Sequence, residues 1–255
     1  EICQIGHQDR VPPQIGSALK DNNPWFLLLL NVIKLNSMWL SKNWAYGLLA
    51  IAVVLAILGV TTSNFVFKSG TAGMGIIIIL GFLFGRKGNN KNLWMLVGAF
   101  VCSIIGDWFL SRMNGDVSLF VKGIALFFLA HVGYLVYALL NGKMHWKTTA
   151  IVLIGFLAFF FLVLYPKITD TALMVASLIY LLISCFSLGA SMGMAVDQME
   201  KWSYVIGIGL ILFSDTIIAF KEFVGYHTFD FLITPTYYLA HICITYSVIK
   251  RFEAA

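Results

Sequence analysis

Apolar residues occur in long runs, separated by short clusters of polar and charged ones. The runs fall at about 44–61, 64–84, 93–112, 117–140, 148–165, 171–194, 203–220 and 229–249. The second ends before Arg86-Lys87-Gly88-Asn89-Asn90-Lys91, and Asn114-Gly115-Asp116 follows the third. Asn141-Gly142-Lys143 follows the fourth, and Pro166 stops the fifth. A hydrocarbon core roughly 30 Å thick takes about 20 helical residues to cross, which is the length of these runs. Backbone amides find no water in hydrocarbon, so such runs bond internally as helices. Membrane strands would alternate apolar and polar residues over about ten positions, and these runs do not. The pattern predicts an all-α fold: a polytopic membrane protein, a bundle of about eight transmembrane helices within residues 42–252.

Composition removes the alternative of a soluble domain with a large core. Of 255 residues, 60% are apolar and 11% charged, against about 25% charged in a typical soluble domain. No connection is long enough for a separate domain, so an active site must be built from the helices themselves. The formal charge of +5 is spread along the chain. No block of like charge offers a nucleic-acid arm, so no nucleic-acid partner is expected. The four cysteines, Cys3, Cys102, Cys185 and Cys243, form no CxxC pair. Three of them lie in apolar runs and read as small buried hydrophobes.

Charge does set a topology. With eight spans both termini share one side, and that side carries twelve Lys and Arg residues against five on the other. The positive-inside rule then places both termini in the cytoplasm. Short loops point to a bacterial inner membrane, with the endoplasmic reticulum as the alternative.

Residues 1–41 form a separate N-terminal extension, polar and then interfacial. It contains Pro12-Pro13, and Pro24-Trp25-Phe26-Leu27-Leu28-Leu29-Leu30 opens an apolar run broken by Asn31, Lys34 and Asn36. That pattern suits a helix lying at the membrane surface. Met38-Trp39-Leu40-Ser41-Lys42 leads straight into the first span and reads as a native start, which would make residues 1–37 foreign.

Ionisable groups inside a bilayer are costly and mark function. Two acids stand out: Asp107 in Ile105-Gly106-Asp107-Trp108 and Asp215 in Phe213-Ser214-Asp215. Spans three and seven run in the same direction, and the acids lie 14 and 12 residues from their starts. At about 1.5 Å per residue the carboxylates reach nearly one level. His131 and Tyr134, three residues apart, share a helical face. Tyr237, Tyr238 and His241 follow Pro235 in the last span. Lys68 sits near the outer boundary, where it would either snorkel or meet a phosphate headgroup.

These motifs come in a particular order: Gly106-Asp107, then His131-Val132-Gly133-Tyr134, then Phe213-Ser214-Asp215, then Tyr237-Tyr238-Leu239-Ala240-His241. With eight short-looped spans, the chain resembles the YhhN-like family of membrane lysoplasmalogenases over about residues 44–250. Lys68 is similar to a family lysine, although Ser69 stands where the family often has proline. The resemblance implies hydrolysis of the vinyl ether bond of a lysoplasmalogen-type lysophospholipid. The products would be a fatty aldehyde and a glycerophospho-alcohol. It implies no cofactor and no metal, and partners limited to the lysophospholipid substrate and membrane lipids.

The residues suit that chemistry on their own account. Vinyl ether hydrolysis begins with protonation of the β-carbon, and water then captures an oxocarbenium ion. It needs an acid that holds its proton near neutral pH and a carboxylate to stabilise the cation and activate water. Two acids in different environments divide such roles. Asp107 and Asp215 are the expected catalytic pair, either one serving as the acid. His131, Tyr134, Tyr237, Tyr238, His241 and Lys68 would bind or orient the substrate. A proton-coupled small-molecule or lipid transporter is the alternative outside catalysis, because transporters also place acids and histidines in spans. A zinc-dependent membrane hydrolase would draw its ligands from His131, His241, Asp107 and Asp215. Presenilin-like proteases share the two aspartates, but their Pro-Ala-Leu motif is missing here. The pattern says nothing about oligomeric state.

Overall fold

The structure, a computed structural model, describes residues 43–62, 65–85 and 90–254. The N-terminal extension therefore lies outside the described residues. Among the described residues, eight helices are long and apolar enough to cross a membrane. They are α1 (Asn43–Thr62), α2 (Phe65–Gly85), α3 (Leu93–Leu110), α4 (Val117–Leu140), α5 (Trp146–Phe159), α6 (Thr171–Met192), α7 (Gln198–Ala219) and α8 (Asp230–Ala254).

The polar breaks act as caps. Asp116, Asp170 and Asp197 accept backbone N–H bonds from Ser118, Leu173 and Met199 at 2.8, 2.7 and 2.9 Å, opening α4, α6 and α7. A capping carboxylate satisfies amides that have no partner within the helix. Two spans run on past their α-helical part. A π-helical turn, Phe160–Leu164, and a 3-10 turn around Pro166, Tyr165–Lys167, extend α5 and end the span at Lys167. A second π-helical turn, Phe220–Val224, extends α7.

The seventh span is where the predicted boundaries move most. It begins at Gln198 rather than 203 and continues to Val224 rather than 220. Charged residues at both ends find partners. Glu200 is buried and receives a hydrogen bond from the Tyr137 hydroxyl at 3.4 Å. Lys221 pairs with Glu222 at 3.4 Å.

Six helices close a ring in the order α2, α3, α4, α6, α7, α8 and back to α2. Helix α1 packs outside α2 and α8, and α5 packs outside α6. The outer position of α1 and α5 shows in their burial, 17% of each span against 50% for α8. The two halves of the chain repeat this scheme. Contacts α1–α2, α2–α3, α3–α4 and α4–α6 correspond to α5–α6, α6–α7, α7–α8 and α8–α2. Four spans per half means that the repeats run parallel, about an axis along the membrane normal. Asp107 and Asp215 occupy equivalent helices in the two halves, as do His131 and His241.

Lipid tails are as apolar as leucine, so these helices associate through close packing and hydrogen bonds. Residues such as Ile57, Phe84, Leu162 and Ile154 stay exposed, as lipid-facing side chains should. Gly75 marks the tightest approach among α2, α3 and α8. A Cβ there would lie 2.3 Å from the Phe100 ring and 2.7 Å from Thr245 Oγ1. Phe100 in turn packs edge-on against His241 at 5.0 Å. Gly75→Ala is expected to cost about 1–3 kcal/mol through overpacking. Thermal unfolding in detergent checks this; an unchanged midpoint would mean that the interface yields freely.

Candidate active site

The site grows from the ends of α3 and α7 that lie away from the C-terminal end of α8. Asp107 is three residues from the end of α3, and Asp215 lies four residues before α7 ends at Ala219 and its π-helical extension begins. Both line one cavity of about 250 Å³, together with Lys68 from α2 and Tyr237 and Tyr238 from α8. Its outer wall is made by Ser111 and Met113 after α3, Lys221 and Glu222 at the end of α7, and Asp230 at the start of α8.

Asp215 also lines a second cavity, smaller at about 80 Å³ and almost wholly apolar. Phe120, Phe127, Phe156, Phe159, Leu181 and Phe223 contribute to its apolar wall. Leu110, Phe127, Asp215 and Ile218 belong to both walls. The second carboxylate therefore stands where a polar chamber meets an apolar one. Both π-helical turns lie beside the apolar chamber, through Leu164 and Phe223. Such turns often mark functional positions because they redirect side chains out of the regular helical register.

Asp215 is held from two sides. The Tyr180 hydroxyl of α6 donates a hydrogen bond to its Oδ2. His131 Nε2 lies 3.9 Å from the same oxygen, beyond hydrogen-bond reach. The His131 ring stands edge-on to Tyr180 at 5.4 Å, and neither ring nitrogen has a hydrogen-bond partner among the described residues. One residue before the acid, the Ser214 hydroxyl donates to the carbonyl of Ile233 at 3.0 Å. This bond ties α7 to α8 beside Pro235, where the helix lacks an amide N–H. Thr236 also serves that stretch, its hydroxyl donating to the Leu232 carbonyl at 2.7 Å. Side-chain hydroxyls of this kind satisfy backbone groups that proline frees in a membrane.

The remaining predicted residues form a second layer. Tyr134 is buried, its hydroxyl 3.4 Å from Ser103 Oγ, and its carbonyl accepts a bond from Tyr204 at 2.8 Å. His241 does not line the cavity. It is buried between Phe100 at 5.0 Å and Tyr237 at 4.5 Å, with both nitrogens unpartnered among the described residues. The Tyr238 hydroxyl is likewise buried without a partner there, while that of Tyr237 faces Asp107. Gly59 on α1 makes room for Tyr238: a Cβ there would lie 2.9 Å from the ring. Thus Lys68, Asp107, Asp215, Tyr237 and Tyr238 share the wall. His131 stands beside Asp215, and Tyr134 and His241 support from behind.

Sequence reasoning missed Tyr180. In Leu178-Ile179-Tyr180-Leu181 it reads as one more aromatic in an apolar run, and only the α6–α7 contact reveals its partner. It also missed the charged wall: Lys221 and Glu222 read as residues following span seven, and Asp230, at the start of span eight, was not singled out. Among the described residues, no three His, Cys, Asp or Glu side chains come together as a metal-binding group.

Fold and site together define a polytopic α-helical membrane protein with two intramembrane aspartates on one cavity. The chain belongs to the YhhN family, whose pattern matches residues 65–248. No curated protein and no solved structure matches it. The family match spans α2 to α8 and takes in all eight predicted site residues.

Proposed function

We propose that this protein is an integral-membrane hydrolase that cleaves the vinyl ether bond of lysoplasmalogen-type lysophospholipids. One observation carries the reading: Asp215 stands at the junction of a polar and an apolar chamber, and Asp107 lines the polar one. A lysophospholipid has one aliphatic chain and one polar head, and its vinyl ether lies where they join. With the chain in the apolar chamber and the glycerophosphate in the polar one, that bond falls at the carboxylates. The family match supports a hydrolase of this kind.

The chemistry runs on one proton shared by the pair. The protonated aspartic acid delivers its proton to the β-carbon of the C=C bond, leaving an oxocarbenium ion at the carbon bonded to oxygen. The other carboxylate stabilises that cation and takes a proton from the water that attacks it. The resulting hemiacetal collapses as its hydroxyl proton passes to the departing glycerol oxygen, releasing aldehyde and alcohol. The pair again holds one proton, now on the opposite residue, so the two acids exchange roles or re-equilibrate between turnovers. His131 and Tyr180 flank Asp215, and the Tyr180 hydrogen bond orients it.

The lysine and arginine count supports a cavity mouth on the side away from the cytoplasm. The experiment is hydrolysis of a vinyl ether lysophospholipid by purified protein in heavy water. One deuterium is expected on the aldehyde α-carbon, with no cleavage of the saturated alkyl ether analogue. Cleavage of both lipids, or aldehyde without deuterium, would overturn the mechanism.

A further inference from the structure

A third cavity, of about 310 Å³, lies between α1 and α8. Helix α1 supplies Val53, Ile57 and Val60 to its wall, and α8 supplies Pro235, Leu239 and Ile242. Val53, Ile57, Val60 and Leu239 are exposed, so this is a groove open to the membrane and not a closed void. It runs along α1 from Val53, near the middle of that span, to Thr61, one residue from its end. The helical rise makes that about 12 Å, against about 15 Å for the hydrocarbon of one leaflet. The Thr61 end lies on the side of the bundle where α8 begins, and there Asp230 edges the polar cavity.

Among the described residues, Tyr238 alone lines both this groove and the polar cavity. Helical side chains lean towards the start of their helix, and the Tyr238 hydroxyl reaches the level of Gly59 on α1. A Cβ on Gly59 would lie 3.0 Å from that hydroxyl. Tyr238 is 2% exposed, and its hydroxyl has no hydrogen-bond partner among the described residues. A buried donor without a partner is costly, and a ligand oxygen that accepts from it recovers that cost. We propose that the α1–α8 groove receives the aliphatic chain of a single-chain ether lipid from the leaflet on the mouth side. The Tyr238 hydroxyl donates to the oxygen that joins chain to glycerol. The length, direction and apolar wall of the groove fit one chain standing along the bilayer normal. The oxygen then lies level with Gly59, about 5 Å inside the end of α1, and the head stands at the mouth of the polar cavity. A lipid seated here is one step from the carboxylates, and its chain has still to pass Tyr238 to the apolar chamber beside Asp215.

The identity of the lipid rests on the function proposed above, but the test needs no hydrolysis. The probe is a saturated 1-alkyl ether lysophosphatidylcholine with a diazirine midway along its chain. It is photolysed with the full chain in phosphatidylcholine nanodiscs. Adducts are expected between Val53 and Thr61 and between Leu239 and Ile242. Their yield should be about tenfold that on the lipid-facing Ile154 and Leu162 of α5, as for a site that binds more tightly than the surrounding lipid shell. Ala56→Trp fills the groove from its α1 wall and should bring the yield down to the α5 level. In vinyl ether hydrolysis the same variant should raise KM more than it lowers kcat. If Ala56→Trp does not fold, Ile57→Trp narrows the groove from its lipid side. Tyr238→Phe keeps the ring, and the probe concentration for half-maximal labelling should rise about fivefold, the scale of one hydrogen bond. Equal yields on the groove and on α5 mean surrounding lipid only and overturn the proposal. A native mass of two chains with no groove adducts gives the groove to a second copy and overturns it too. Half-maximal labelling unmoved by Tyr238→Phe overturns the role of its hydroxyl. A protein that cleaves vinyl ether lipids but labels only the lipid shell keeps its proposed function and loses this inference. One that labels the groove and cleaves nothing does the reverse.

Discussion

Asp107→Asn and Asp215→Asn are each expected to lower aldehyde release by roughly 10²–10⁴-fold, the range of general acid–base catalysis. Asparagine keeps the shape of the side chain and an oxygen that can accept the Tyr180 bond at position 215. It cannot hold or deliver the transferable proton. Because one proton is shared, removing either carboxylate removes the whole exchange. The double variant should therefore be little worse than the single ones, as for residues that act as a unit. Tyr180→Phe belongs between these and wild type, with a loss of about tenfold, the scale of one hydrogen bond to a charged group. Full activity in either Asn variant would remove the pair from the mechanism. Matching unfolding midpoints separate a chemical loss from a folding one.

The membrane fold was legible because the bilayer imposes a length and a composition on each span. Eight runs near 20 residues left little freedom, and the helices α1 to α4 fall within a residue or two of them. The boundaries fail where charge is hidden by partners distant in sequence. Glu200 reads as a loop residue until Tyr137, 63 positions away, is seen to bond it. The acids were legible for the opposite reason: a lone carboxylate in an apolar run has no local justification. Their shared level was inferred from helical rise, and both side chains do line one cavity. The junction between polar and apolar chambers was not legible, since its walls come from α2, α3, α4, α5, α6, α7 and α8 at once. Tyr180 shows the same limit. Nothing near it in the chain distinguishes a tyrosine that orients a carboxylate from one that packs.

The second large effect lies at the opposite end of the bundle and concerns stability. Arg251 donates to the Tyr137 hydroxyl at 3.3 Å and to Asn141 Oδ1 at 2.9 Å. Asn141 Oδ1 also accepts from Asn92 at 3.0 Å, and Tyr137 donates to Glu200, which is 3% exposed. This network joins α4, α7 and α8 to the residue preceding α3. Removing one member of a buried charged network costs about 3–5 kcal/mol, much of it from the charge left behind. Arg251 reaches Glu200 through Tyr137, so Arg251→Met should cost about 3 kcal/mol, the lower end of that range. Glu200→Gln should cost less, because its amide oxygen still accepts from Tyr137. The decisive variant is the double one. If the cost of Arg251→Met is mainly a stranded carboxylate, adding Glu200→Gln should restore part of the lost stability. A double variant whose loss equals the sum of the singles would show that the residues do not act together. Since the network lies away from the cavity that holds Asp107 and Asp215, folded Arg251→Met protein should keep the wild-type KM. That would place stability and chemistry at opposite ends of one bundle.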